Sequence, residues 1–168
     1  MTAVVVMGVS GSGKTSIGTL VAETLAVAFV DADELHPPAN VKKMAGGTAL
    51  TDDDRWAWLR LVAGAMQQRT SAGTEVVVAC SALRRAYRDV LRTGSDDVRF
   101  VLLDVPRPDL EERLTRRRGH FMPAALLNSQ LATLEPFSDG DPGGVVDASG
   151  SIEQTVDAVL AAVRGEGR

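Results

Sequence analysis

One run of residues near the N-terminus has the composition and spacing of a loop that binds phosphate groups. It reads Gly8-Val9-Ser10-Gly11-Ser12-Gly13-Lys14-Thr15 and matches the pattern G-x-x-x-x-G-K-[ST] at every fixed position. Glycines let backbone N–H groups turn toward phosphate oxygens, and the lysine supplies a cation to the β- and γ-phosphates. The hydroxyl of Thr15 can ligate Mg²⁺. The pattern therefore predicts a site for ATP and its magnesium ion.

The predicted contacts to the nucleotide extend from this loop into the helix that follows. An apolar strand pattern precedes the loop and a helical pattern follows it, which is the context that the motif requires; a glycine-rich turn without a ligand is the alternative. The N-terminus of the helix adds partial positive charge. The residues expected to contact ATP are Gly8, Ser10, Gly11, Ser12, Gly13, Lys14, Thr15 and Ser16, together with Arg113 and Arg117 from farther along the chain.

Two aspartates, Asp31 and Asp33, follow the second strand pattern. Alternate residues of an extended segment point the same way, so both carboxylates can face the phosphate loop. We expect Asp31 to support the Mg²⁺ ion and Asp33 to accept the proton of an acceptor hydroxyl. A cluster of acids at a helix N-terminus is the alternative interpretation of this pair. Asp104, which ends the apolar run 100–103, is a second candidate for the metal.

Basic side chains near the same rim predict how an acceptor is held. Arg55 follows three acids, Asp52–Asp54, which suit a helix N-terminus, whereas an arginine does not. Its guanidinium can bind a carboxylate or a polyol. Arg84, just after the third strand pattern, is a weaker candidate for the same role. For Arg88, one turn further along, we expect a solvated helix face.

A cluster of arginines at the end of a predicted helix suggests a lid over the nucleotide. Arg113 and Arg117 lie one turn apart and share a face, so that one guanidinium can stack on adenine while the other clamps the γ-phosphoryl group. Gly119 breaks the helix, as a hinge would, and closure would exclude water. Complementing the dipole at a helix C-terminus is the alternative role of these cations. The expected catalytic residues are thus Lys14, Asp33 and Arg117.

Alternating strand and helix patterns must position these residues. The strand patterns cover residues 3–7, 28–30, 75–80, 99–103 and 144–146, and the helical ones cover 17–25, 56–68, 83–91, 108–118, 123–134 and 151–163. This alternation predicts an α/β fold with three layers, in which helices cover both faces of a mostly parallel sheet. Ligands bind such sheets beyond the carboxyl ends of the strands, which is where the candidate residues lie.

Length and composition narrow the class of protein. The chain has 168 residues, of which 45% are hydrophobic and 24% charged, as expected for one globular domain. No apolar run approaches the ~20 residues of a membrane helix, so we expect no membrane partner. The segment Met1–Met7 has no basic n-region and is interrupted at once by Gly8–Lys14, so we expect no signal peptide. The net charge of −4 argues against a nucleic-acid partner. The single cysteine, Cys80, cannot form an internal disulfide, so a reducing cytoplasm is expected.

Taken together, these motifs resemble the gluconate kinase family of small phosphate-loop kinases, which are related to shikimate and adenylate kinases. The matching runs, spread over residues 3–163, are the phosphate loop, Asp31–Pro37, Leu50–Arg55, Cys80–Arg85 and the run His120-Phe121-Met122-Pro123. The phosphate loop is widely shared. The Leu-His-Pro, Asp-Asp-Arg and His-Phe-Met-Pro segments are far more specific, and here all three occur in order.

The resemblance implies a P-loop NTPase fold with a five-stranded parallel sheet in the order 2-3-1-4-5. It further implies ATP-dependent phosphorylation of D-gluconate at its 6-hydroxyl and assembly as a homodimer. His36 is expected to hydrogen-bond the polyol. The residues expected to bind the acceptor are Asp33, His36, Arg55, Arg84 and Gln130.

We expect one kinase domain over residues 1–168, with substrate-binding helices over 34–72 and a lid region over 113–135. The chain departs from the family at Ala57, where proline is usual, and over 136–144, which fits poorly. Two alternatives stay open. One is a kinase for another small acceptor, either shikimate or a nucleoside monophosphate, and the other is a nucleotide-binding protein without turnover.

Overall fold

A single sheet of five parallel strands forms the centre of the computed structural model, which describes residues 1–116, 124–137 and 141–165. The strands are β1 (Thr2–Met7), β2 (Ala28–Asp31), β3 (Val76–Ala79), β4 (Asp97–Asp104) and β5 (Gly143–Asp147). Their order is β2-β3-β1-β4-β5, and every neighbouring pair is parallel. This confirms the predicted fold class and strand order.

In the described residues, seven α-helices and one 3₁₀ turn connect these strands. The helices are α1 (Lys14–Leu25), α2 (Pro38–Ala45), α3 (Asp52–Ser71), α4 (Arg85–Arg92), α5 (Arg107–Arg116), α6 (Ala124–Thr133) and α7 (Ile152–Arg164), and the 3₁₀ turn spans Ala32–Leu35. None of the described helices has the length and apolar character needed to cross a membrane.

Helix α3 begins four residues before the apolar pattern predicts. Its first turn is held by a capping box in which the Thr51 hydroxyl accepts a hydrogen bond from the Asp54 amide at 3.3 Å, while the Asp54 carboxylate accepts from the Thr51 amide at 2.9 Å. Because this first turn is entirely polar, hydrophobic periodicity does not detect it. The extra turn brings Asp52 and Arg55 into the helix.

Each face of the sheet packs against its own helices, as a parallel sheet requires. On one face, Val4 and Val6 pack with residues of α1, α5 and α7. On the other, Val5 and Met7 pack with α3 and α4, including the fully buried Trp58. The alternation of side chains along β1 therefore divides the core into two layers, and it holds the carboxyl ends of the strands in register at one rim.

Cys80 lies at this rim, just beyond β3. Its thiol is completely buried, and burial raises its pKa to about 12, with the nearby carboxylates of Asp33 and Asp31 adding to the shift. The backbone amide of Cys80 donates to the Val6 carbonyl at 3.1 Å, which continues the pairing of β3 with β1. The thiol is thus a protonated core group beneath the rim.

The expected solvated position of Arg88 is wrong. Its side chain is 0% exposed and its guanidinium lies 3.6 Å from the buried carboxylate of Asp141. It also donates to four backbone carbonyl oxygens at 3.3–3.5 Å, those of Ala82, Leu83, Glu135 and Pro136. Charged side chains are rarely buried unless they are paired, and here the pairing ties α4 to the segment that follows α6.

Candidate active site

The phosphate loop joins β1 to α1 in the conformation that its glycines allow. Gly11 and Gly13 have φ angles of +85° and +96°, in the left-handed region that favours glycine. Gly13 is the N-cap of α1 and has no side chain to occupy the first amides of the helix. Gly8 is buried, and a Cβ there would lie 2.8 Å from the Ser12 hydroxyl oxygen. The loop therefore presents backbone amides and the positive end of α1 toward one point.

Lys14 and Thr15 begin helix α1 beside that point. The Lys14 ammonium donates to the Val9 carbonyl at 3.0 Å, which folds its side chain back over the loop. The exposed Thr15 hydroxyl donates to the Asp31 carboxylate at 2.9 Å, so that the ends of β1 and β2 are linked. Ser16, the next residue, is also exposed.

The oxygen atoms of Thr15 and Asp31 fit a magnesium ion. Mg²⁺ prefers hard oxygen ligands and is usually held by one or two protein groups together with nucleotide phosphates. In the described part of the chain, no group of three or more histidine, cysteine or acidic side chains could hold a metal by itself. Asp104, the second candidate, ends β4 with an exposed side chain, and its backbone oxygen accepts from Ala148. The contact with Thr15 favours Asp31.

Asp33 lies in the 3₁₀ turn directly after β2. Asp31 caps this turn, because its carboxylate accepts a hydrogen bond from the Asp33 amide at 3.0 Å. The Asp33 side chain is 71% exposed and its carboxylate lies 3.9 Å from the Nε2 atom of His36. The cap thus separates the two aspartates: Asp31 is tied to the phosphate loop, and Asp33 projects outward toward an acceptor.

His36 is held by stacking and by burial. Its ring lies parallel to that of Trp58, with the ring centroids 4.1 Å apart, and its side chain is only 4% exposed. The Asn40 amide nitrogen lies 3.5 Å from Nδ1. Burial lowers the pKa of His36, the nearby Asp33 carboxylate opposes this shift, and the charge of Arg55 adds to it. Burial therefore favours the neutral imidazole, which lies beside the Asp33 carboxylate.

The lowered pKa of His36 predicts a specific pH dependence of stability. The unfolded chain binds a proton near pH 6.5 more readily than the folded chain does, so the free energy of unfolding should fall as the pH drops below 6.5. Chemical denaturation of the wild type and of His36→Gln at pH 7.5 and 5.0 tests this. The wild type should lose more stability between these two pH values than the variant, whereas equal losses would contradict the assignment.

Arg55 and Arg84 meet in a hydrogen-bonded group that joins the first turns of α3 and α4. We call Asp52, Arg55, Arg84 and Tyr87 the α3–α4 network. The Asp52 carboxylate accepts from Arg84 Nη1 at 2.7 Å and from the Tyr87 hydroxyl at 2.5 Å. Arg55 Nη1 donates to the same hydroxyl at 3.3 Å. The charge of Arg55 acts on His36, which places the network beside the acceptor rim.

Two further predicted residues contact the phosphate loop. The Gln130 side-chain oxygen accepts from the Ser10 amide at 2.6 Å, so this residue of α6 lies against the loop. Arg113 donates to the carbonyls of Ser12 at 3.5 Å and Ala148 at 2.8 Å. Arg113 also lines a cleft of about 320 Å³ together with Asp109, Glu112, Arg116 and Ser149. Arg117, His120 and Phe121 lie outside the described residues.

Sequence reasoning missed some of the residues that shape this site. Asp52 reads as one of three acids favourable to a helix N-terminus, and Tyr87 as part of an apolar helix face. Trp58 reads as core, but its indole N–H donates to the Ala32 carbonyl at 2.7 Å while its ring supports His36. The one signal available for the tyrosine is its hydroxyl, which needs a partner when it is buried.

Known proteins share this architecture over nearly the whole chain. A family profile described as an AAA domain matches residues 4–137. A gluconokinase from Gluconobacter oxydans (strain 621H) is 49% identical over 93% of this chain and 85% of its own length. A solved sugar kinase from Janibacter sp. HTCC2649 is 47% identical, with a TM-score of 0.92 over 98% of this chain and 95% of its own. A solved gluconokinase from Sinorhizobium meliloti 1021 is 44% identical, with a TM-score of 0.85 over 98% of this chain and 92% of its own.

Proposed function

The chain belongs to the gluconokinase family, and from that premise we propose that it transfers the γ-phosphoryl group of ATP to the 6-hydroxyl of D-gluconate, giving 6-phospho-D-gluconate and ADP. One observation carries the proposal: Asp33 lies 3.9 Å from His36, which is within range of the charge of Arg55, and the Asp33 amide is bonded to the same Asp31 carboxylate that accepts from Thr15. This rim offers a proton acceptor for a hydroxyl, a neutral imidazole for a polyol and a cation for a carboxylate, which are the three features of a sugar acid.

On the nucleotide side, the amides of the phosphate loop and the ammonium of Lys14 hold the β- and γ-phosphates. Thr15 and Asp31 would hold Mg²⁺, which would supply positive charge to neutralise the phosphate oxygens. The hydrogen bond between Thr15 and Asp31 supports these roles, because it already places the two oxygens 2.9 Å apart. The nucleoside would lie toward the cleft lined by Arg113.

On the acceptor side, Asp33 orients the 6-hydroxyl and accepts its proton. The freed oxygen forms a bond to the γ-phosphorus as the bond to the bridging oxygen of ADP breaks. Support comes from the position of the Asp33 side chain, which is exposed and is anchored by the cap from Asp31. His36 hydrogen-bonds the polyol, and Arg55, with Arg84 as the weaker candidate, holds the carboxylate.

Residues 34–72 form the acceptor-binding part of the domain in this proposal, and residues 113–135 form the lid. Arg113 and Gln130 support the second assignment, since both reach the phosphate loop from the two ends of that region. Gln130 would bind the substrate from its place beside Ser10. Arg117 would clamp the γ-phosphoryl group, which stays a prediction from the sequence.

Acceptor-dependent ADP release tests the proposal. Purified protein with Mg·ATP is assayed with gluconate, glucose, shikimate and AMP by a coupled spectrophotometric method. We expect turnover with gluconate and little with glucose, because the half-buried guanidinium of Arg55 would be left without its carboxylate partner by an uncharged acceptor. Fast turnover with shikimate or AMP would show that the acceptor is not gluconate, while the assignment as a kinase would stand. ATP binding without acceptor-dependent ADP release would favour the nucleotide-binding protein without turnover.

The homodimer that the resemblance implies is likewise part of the proposal. Multi-angle light scattering on the intact chain tests it against the monomer mass of 17.8 kDa. A mass near twice that value is expected, and a monomer at all concentrations would contradict it.

A further inference from the structure

The α3–α4 network has an uneven distribution of charge. It holds two guanidinium groups and one carboxylate, and the carboxylate is already occupied at both oxygens by Arg84 and Tyr87. Arg55 lies 3.9 Å from Asp52 Oδ1, beyond hydrogen-bond distance, and the Tyr87 hydroxyl is its hydrogen-bond partner in the network. The charge of Arg84 is thus matched directly by Asp52. Arg55, at 3.9 Å, is the more weakly paired of the two guanidinium groups.

Tyr87 connects the two halves of this arrangement. Its hydroxyl accepts from Arg55 and donates to Asp52, and one neutral phenol can do both at the same time. Burial and the hydrogen bond to Asp52 raise the pKa of Tyr87, which keeps the phenol protonated. The Arg55 guanidinium also lies over the Tyr87 ring, 5.6 Å from its centroid. Ring and hydroxyl together restrict where Arg55 can point.

We propose that Tyr87 and Asp52 are positioning residues that aim the guanidinium of Arg55 at the carboxylate of the acceptor. The inference rests on the proposed function for the identity of that carboxylate. Arg84 has its charge satisfied within the network and serves to hold Asp52. Arg84 is the more exposed of the two, at 40% against 17% for Arg55, but it is bonded directly to Asp52, so Arg55 is the arginine that contacts the substrate in this proposal. The network therefore keeps a long, flexible side chain in one direction before substrate arrives, which reduces the entropy lost on binding.

Three single variants test this inference. Tyr87→Phe removes only the hydroxyl and keeps the ring, and Asp52→Asn removes the charge that orders the network. Asp53→Asn is the matched control, because Asp53 is an exposed acid in the same first turn of α3 and lies outside the network. We expect the KM for gluconate to rise about tenfold in Tyr87→Phe and Asp52→Asn, with kcat and the KM for ATP within about twofold. Asp53→Asn should change none of these values by more than about twofold.

The decisive arm is the double variant Arg55→Gln with Tyr87→Phe. If Tyr87 acts through Arg55, the hydroxyl has no further effect once the guanidinium is gone, and the KM of the double variant should equal that of Arg55→Gln. If the increases in KM caused by Arg55→Gln and Tyr87→Phe multiplied in the double variant, the two residues would act independently and the inference would be overturned. An unchanged KM for gluconate in both Tyr87→Phe and Asp52→Asn would also overturn it. Should Tyr87→Phe fail to fold, Asp52→Asn combined with Arg55→Gln provides the same cycle. A wild type inactive on gluconate would instead overturn the proposed function.

Discussion

Replacing Asp33 by asparagine is expected to lower kcat for gluconate phosphorylation by a factor of about 10²–10⁴, the range typical of a lost general base. Asparagine keeps the size of the side chain and one acceptor oxygen, but its other terminal group is an NH2 donor and it cannot take up a proton. The Asp33 carboxylate is largely exposed and, among the described residues, makes no contact with the phosphate loop, so ATP binding should persist. Steady-state kinetics with a coupled ADP assay and calorimetric titration with ATP measure the two effects separately.

Glu34→Gln is the matched control for this experiment. Glu34 is the neighbouring acid in the same 3₁₀ turn and is also exposed, so its replacement removes one negative charge from nearly the same place. Its kcat should stay within about twofold of the wild-type value, because surface charges away from the reacting atoms have small effects. A comparable loss in both variants would assign the effect to the local charge and would refute a specific proton transfer to Asp33.

Replacing Arg88 by methionine is expected to cost about 3–5 kcal/mol of unfolding free energy. The change removes the guanidinium from the buried carboxylate of Asp141 and takes one donor from each of four backbone carbonyl oxygens. Of these four, the Leu83 carbonyl keeps its hydrogen bond from the Glu135 amide. Arg92 still contacts Asp141 at 2.6 Å, but from a position that is 31% exposed. Denaturant unfolding measures the loss, and thermal unfolding should show a midpoint lower by roughly 6–20 °C.

Arg60→Met provides the comparison for that loss. Arg60 lies on the exposed face of α3, so the same substitution removes a guanidinium that faces solvent. Its effect should be within about 0.5 kcal/mol. If Arg88→Met were as mild as Arg60→Met, the buried pair would contribute little, and the segment after α6 would be held by its other contacts, such as the bond from the Glu135 amide to the Leu83 carbonyl at 2.8 Å.

The parts of the fold that local pattern encodes were predictable. The inner strands β1, β3 and β4 were found because they are short apolar runs that are largely buried, which is the pattern of a parallel sheet. The edge strands β2 and β5 are less buried and were found from their short runs alone. Helix α2 escaped the apolar pattern because its Val41 and Met44 are exposed and only Asn40 is buried, so no hydrophobic stripe marks it. Hydrophobic periodicity detects helices that bury apolar side chains. A helix whose buried residue is polar therefore goes undetected.

The residues of the candidate site also differ in how well the local sequence predicts them. The phosphate loop was predictable because all its parts are contiguous, so one segment contains the glycines, the lysine and the metal-binding hydroxyl. The burial of Arg88 was not predictable, since its partner Asp141 lies 53 positions further along the chain and nothing local to α4 indicates the pair. Likewise, Asp52 favours the helix N-terminus with or without a partner, so its contacts with Arg84 and Tyr87 leave no mark in the sequence.

The rate at which the buried thiol of Cys80 is labelled measures how often the protein opens locally. Only a thiolate in contact with solvent reacts with a disulfide reagent, so each labelling event reports one excursion in which the end of β3 comes apart. Lys14, Asp31 and Asp33 surround that point closely enough to influence the thiol. A ligand that binds only the closed form should therefore slow labelling by the factor 1 + [L]/Kd. The affinities for nucleotide and for acceptor can then be measured one at a time, in unmodified protein and without turnover.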